Sequence, residues 1–175
     1  MAKDVQIVTR PVRQITINTG RGFAEFRGDY ERAVPSFDRL EAIGVVPCGR
    51  GRDVIDRTSE AAATNGFVNF FLLESSPLRH LSGSAGDAVT YLTGNIVKGE
   101  PGFRKRPGCL MYIPLRVVIS AGHDREGQLT IDHPADLFAA YGDPALDRVA
   151  AEICMDFAVL LGQLGAPVPS VLTNL

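Results

Sequence analysis

Residues 143–164 constrain the fold most. Asp143 and Pro144 stand where a helix N-cap and its first residue are expected. Leu146, Val149, Ile153, Phe157, Leu160 and Leu164 then return on one side of a helical period, until Gly165 and Pro167 stop it. So long a helix with one apolar stripe must bury that stripe against another layer. The rest of the chain supplies only shorter elements. Glycine (18) and proline (11) both exceed average usage among 175 residues, which implies many turns rather than a helical bundle.

The short elements read as follows. Residues 12–18 carry β-branched side chains at their apolar positions and predict a half-buried strand ended by Thr19-Gly20. Phe23, Phe26, Tyr30 and Ala33 then mark one helical face that stops near Pro35. Residues 36–43 predict another helical turn or two, 45–51 a loop, and 52–65 an alanine-rich helix ended by Asn65-Gly66. The nearly continuous apolar run 67–73 predicts a central strand buried on both faces. A short helix starting at Pro77, a loop at 82–87 and a strand at 88–93 follow. Residues 96–107, with Gly99, Pro101, Gly102 and Pro107, predict an exposed excursion. Strands at 109–113 and 115–121, a hairpin loop at 122–127 and a strand at 128–132 precede the last helix. The order mixes hairpins with crossovers in a single domain over residues 1–175. The expected class is α+β, an α/β sandwich with a mostly antiparallel sheet packed by helices on one face.

Four segments carry a cadence. They are Tyr91-Leu92-Thr93-Gly94-Asn95, then Tyr112-Ile113-Pro114-Leu115-Arg116-Val117, then Ile131-Asp132-His133-Pro134, and finally Tyr141-Gly142-Asp143-Pro144. Over residues 88–165 this resembles the bacterial domain of unknown function 302 (DUF302) family. Before residue 88 only the opening strand and first helix fit. Ile96 stands where the family usually has proline after Gly-Asn, and the segment 98–107 is unusually basic. The resemblance implies a compact α/β domain, often a homodimer, and no particular reaction.

Charge and motifs exclude several functions. The net charge is −2, so no global field attracts nucleic acid. Residues 61–120 carry six basic and three acidic side chains, and residues 121–175 two and eight. No apolar run approaches the ~20 residues of a membrane span, and the first residues have no apolar signal core. Cys48, Cys109 and Cys154 form no Cys-x-x-Cys, and an odd count favours reduced thiols in the cytoplasm. No phosphate-binding loop or dinucleotide fingerprint is present, and Ser82 spoils a nucleophile elbow at Ser84. His80, His123 and His133 make no metal motif, so no metal or cofactor is expected. Phe103-Arg104-Lys105-Arg106 could touch single-stranded nucleic acid, but its shortness and the acidic chain argue against it, and the segment reads equally as a lid over a pocket or a dimer contact.

Five residues remain as candidates. Arg116 lies in an apolar strand. It either faces solvent, pairs with a carboxylate, or turns inward as an anchor for a carboxylate or phosphate. Tyr112 and Tyr91 either pack as core edges or offer phenol donors. Asn95 after Gly94 is a turn residue or a ligand-facing amide. Within Asp132-His133-Pro134, the aspartate either caps a helix at Pro134 or sets the proton state of His133. The leading expectation is a cytoplasmic, cofactor-free protein that binds a small molecule in a pocket between sheet and helices. If catalytic, it would use acid–base chemistry on a carbonyl or carboxylate compound, with His133 and Tyr112 catalytic and Arg116, Asn95 and Tyr91 binding. The alternative is a non-catalytic homodimeric module that binds a ligand or a partner protein, in which the basic segment 98–106 meets the acidic C-terminal third across a two-fold axis.

Overall fold

A computed structural model describes residues 5, 7–37, 51–62, 65–122 and 124–174. Most of the helical turn expected at 36–43, the loop at 45–51 except Gly51, Cys48 and His123 lie outside the described residues. Five strands form one antiparallel sheet: β1 (Gln14–Gly22), β2 (Val68–Glu74), β3 (Ala88–Gly94), β4 (Leu115–Ala121) and β5 (Glu126–Asp132), in the order β1-β5-β4-β3-β2. Among the described residues six α-helices accompany it: α1 (Phe23–Ala33), α2 (Gly51–Ala61), α3 (Ser76–Leu81), α4 (Ile96–Lys105), α5 (Pro134–Ala139) and α6 (Pro144–Gln163). The fold is α+β, with the sheet packed by helices on one face.

Strand periodicity makes that face. Ile15 and Ile17 of β1, Val89 and Tyr91 of β3, Val117 and Ile119 of β4, and Leu129 and Ile131 of β5 all point into the core. They meet Phe26 and Tyr30 of α1 and the stripe of α6, where Leu146, Ile153, Phe157 and Leu160 are buried. Asp143 caps α6 as expected, its Oδ1 accepting from the Ala145 N–H at 3.0 Å. Gly165, at φ +66°, ends that helical run in the left-handed region. The described polar groups of the core are hydrogen-bonded in chains. Tyr30 and Thr93 hydroxyls lie 2.6 Å apart, Thr93 donates to Asn69 Oδ1 at 2.6 Å, and Asn69 Nδ2 donates to the Val34 carbonyl at 2.9 Å.

Three expectations change. The run 67–73 contains an edge strand, not a central one. Its first residues, Val68 and Asn69, are buried, but Phe71, Leu72 and Leu73 are 36%, 40% and 43% exposed. An apolar run cannot by itself distinguish a doubly buried strand from an edge with apolar side chains on both faces. The expected excursion at 96–107 is mostly α4. Asn95 caps it, with Oδ1 accepting from the Val97 and Lys98 amides at 2.9 and 3.2 Å. Pro101 stands inside the helix, and the small Gly99 and Gly102 are buried. Residues 109–113 are not a strand: Pro107–Met111 is a 3₁₀ helix leading to a cis Ile113–Pro114 bond.

Candidate functional site

The helix-facing side of the sheet is filled by Phe26, Tyr30, Tyr91, Phe138 and Phe157, all essentially inaccessible. The cleft lies on the opposite, open face. Gln14, Leu92, Arg116 and Asp132 project there from four different strands, and Leu92 sits directly opposite Arg116 in the β3–β4 register. Arg116 reaches this face because it alternates with buried Leu115 and Val117. Arg10 and Val12 of the segment before β1, together with Met111 and Tyr112, form the wall. The space is about 490 Å³.

Arg10 links this cleft to a second hollow of about 990 Å³, which shares Arg10, Met111 and Tyr112 and adds Arg106 and Tyr141. The Arg10 guanidinium carbon lies 4.3 Å from the Tyr112 ring centroid, and its Nη1 donates to the Leu137 carbonyl at 3.1 Å. Tyr112 itself packs edge-on against Phe138 and Tyr141. The charge balance is unequal. Arg13 is taken by Asp136, Lys98 by Asp156, Lys105 by Asp143 and Arg104 by Glu100. Among the described residues, Arg10, Arg106, Arg116 and Asp132 have no ion-pair partner.

His133 faces elsewhere. It is wholly buried at the N-cap position of α5, where its side chain makes no cap bond. Asp132 is therefore not the cap; it lines the cleft instead. Arg13 forms a fork on Asp136, Nε to Oδ2 at 2.8 Å and Nη2 to Oδ1 at 2.7 Å, and its Nη2 lies 3.1 Å from His133 Nδ1. His133 Nε2 lies 3.1 Å from the Val171 carbonyl. A carbonyl only accepts, so the ring proton belongs on Nε2 and Nδ1 accepts from Arg13. The Arg13 side chain above all, with its backbone amide, holds the Asp136 carboxyl well below the usual aspartate range.

Cys154 Sγ lies 3.9 Å from His133 Nε2, giving a Cys-His-Asp order in space. It lacks the chemistry of a nucleophile. Burial pushes the thiol up to about 11, and the imidazole proton is committed to Val171. No three histidine, cysteine or acidic side chains converge on a metal position among the described residues.

Of the five candidates, the structure brings together Arg116 and Tyr112. Asn95 is spent as a cap, and its Nδ2 donates to the Gly66 carbonyl at 3.0 Å. Tyr91 stacks against Tyr30 at 4.9 Å and donates to Glu31 Oε1 at 2.7 Å. Burial first, then the Glu31 charge, raises its phenol far above the ordinary range. Sequence reasoning missed Arg10 as a cleft residue and placed Arg106 only within a basic segment that reads as a lid or a dimer contact. Only the strand parity of Arg116 and Asp132, one either side of the β4–β5 hairpin, could have put two of the four charges on one face.

No protein-family model matches the chain, and no curated protein does. Among solved structures, it is similar to an uncharacterised conserved protein, DUF302, from Bacillus stearothermophilus. The two share 14% identity over 86% of this chain and 97% of that one, with a TM-score of 0.61. At that identity the likeness is one of fold, and the chain has a DUF302-like fold.

Proposed function

We propose that this protein binds a small anionic molecule, such as a carboxylate, in the open-face cleft. The observation that carries this reading is Arg116. It is a guanidinium without an ion-pair partner among the described residues, it shares a concave site with the Arg10–Tyr112 pair, and its planar fork matches a carboxylate. With His133 committed to Arg13 and Val171 behind the cleft wall, we assign binding rather than acid–base turnover. The reading needs no cofactor. It takes the protein to act in the cytoplasm, supported by two free buried thiols, Cys109 and Cys154. Among the described residues, no helix is long and apolar enough to cross a membrane.

The test is calorimetric titration with a panel of small carboxylates, on the native protein and on Arg116→Gln. Arg116→Gln lowers affinity for the carboxylates that bind by about tenfold, the loss of one charge-assisted contact. Equal affinity in both proteins overturns the assignment.

A second reading, a homodimer, is favoured by the exposed aliphatic side chains Leu72 and Leu73 on the edge strand and Leu78 and Leu81 on α3. The charge pairing first expected between two copies no longer argues for it, because Lys98–Asp156 and Lys105–Asp143 close within one chain. Sedimentation of the native protein against Leu73→Lys tests it: a dimer that Leu73→Lys turns into a monomer supports this reading, and a native monomer at all concentrations ends it.

A further inference from the structure

We infer that the cleft is built for a dianion, with one anionic group at Arg116, the other at Arg106, and Arg10 between them. This rests on the binding reading above. The two hollows adjoin across Arg10, Met111 and Tyr112, which line both, so an extended ligand would reach from one to the other over this shared wall. Among the described lining residues, three guanidinium groups face one carboxylate, Asp132, a local charge of +2 on a chain whose net charge is −2. A site of opposite sign to the molecule concentrates anions against the general field.

The neighbouring basic side chains are paired within the chain, and these arginines, among the described residues, are not, although the charge of Arg106 also acts on Asp143. Within the basic run 98–106, Lys98, Arg104 and Lys105 each hold an acidic partner, and Arg106, the one beside the hollow, holds none among the described residues. Arg13 likewise absorbs Asp136 three residues after Arg10. Arg10 is fixed by a carbonyl and an aromatic face, neither of which neutralises it. Its position over Tyr112 puts an apolar, planar surface in the middle of the site, flanked by Met111, which is 76% exposed and free to repack. The ligand class is therefore a small molecule with anionic groups at both ends and an apolar middle. Dicarboxylates and phosphorylated carboxylic acids share that chemistry. Asp132, beside Arg116, disfavours a third negative charge there and accepts a hydroxyl or amine proton from the ligand.

The experiment is calorimetry with unbranched dicarboxylates of increasing length, the matched monocarboxylates and the matched phosphorylated acids, on the native protein, Arg116→Gln and Arg106→Gln. Both arginines are exposed, and the thermal midpoint of each variant verifies its fold. The expected result is a preferred dianion length that binds about tenfold or more tightly than the monoanion of that length. Each substitution alone then reduces the dianion to the affinity of the monoanion. Tighter binding by the phosphorylated series than by the dicarboxylates identifies phosphate as one of the two groups. Dianions that bind no more tightly than monoanions, with the monoanion still sensitive to Arg116→Gln, overturn the two-anion inference and leave the single-anion reading intact. No binding by any member overturns both.

Discussion

The imidazole of His133 shows how one residue can be central to a structure while lying outside its site. Both ring nitrogens are occupied, and the carboxylate beside it is fixed by Arg13. Asp136 titrates below the ordinary value of 3.8 in the folded protein, so the unfolded chain binds the proton more readily. The contribution of Asp136 to stability is complete above about pH 5 and is lost as the pH falls through the aspartate range. Asp136→Asn flattens that part of the acid profile, read by urea unfolding at stepped pH, and costs about 2 kcal/mol near neutrality. In the core, Thr93→Val strands the Tyr30 hydroxyl and the Asn69 carbonyl oxygen together. It costs about 1–3 kcal/mol in the same assay, although valine is the better strand former. Neither network was legible in the sequence. Arg13 and Asp136 are 123 residues apart, and only the closed β1–β5 pairing brings them together. Arg116 was half legible: period two gave its strand and flanking core residues, but not that the cleft would form on the solvent side.

At the scale of elements, the clearest patterns were those with one face. β1, α1 and α6 each alternate or repeat against a single layer, and their positions followed from the residues. α4 did not, because its glycines read as turn formers. They are there for close approach. A Cβ on Gly99 would lie 2.9 Å from Ile113 Cγ2, and one on Gly102 would lie 3.0 Å from Leu146 Cδ2. Gly99→Ala therefore sets two effects against each other. Helix propensity gains about 1 kcal/mol, while overpacking a buried contact costs about 1–3 kcal/mol. Ile113 is itself buried and has little room to yield, so the expected net is destabilisation, seen as a lower thermal midpoint. β2 misled for the converse reason. Its apolar residues satisfy the pattern of a buried strand, but having, among the described residues, only the bridge of Asn69 to Ser36 on its outer side is a property of the sheet, not of the strand.

For the whole molecule, the sequence registered a basic middle and an acidic C-terminal third but not that they neutralise each other in place. Lys98–Asp156 and Lys105–Asp143 tie α4 to α6 and its cap. The core these layers enclose keeps both described thiols inaccessible. In a Cys48→Ser background, Cys109 and Cys154 are expected to resist a thiol-specific disulfide reagent at pH 8 and to react together only at the rate of global unfolding, followed by intact mass. Labelling of Cys154 alone, with the fold retained, would mean that the segment around Val171 opens independently.

That segment carries a consequence for how motion is shared. One imidazole accepts from residue 13 and donates to residue 171, so the approach to the first strand and the turn after the last helix are fastened to the same pin. His133→Leu keeps the bulk of the ring and removes both bonds. Amide exchange at Leu172 and Thr173 and at the start of β1 should then quicken together, as a single cooperative unit rather than two fraying ends. Because Arg10 lies three residues before Arg13, the same loosening would reach the cleft wall, and an anion held by Arg10 would slow exchange at the far end of the chain.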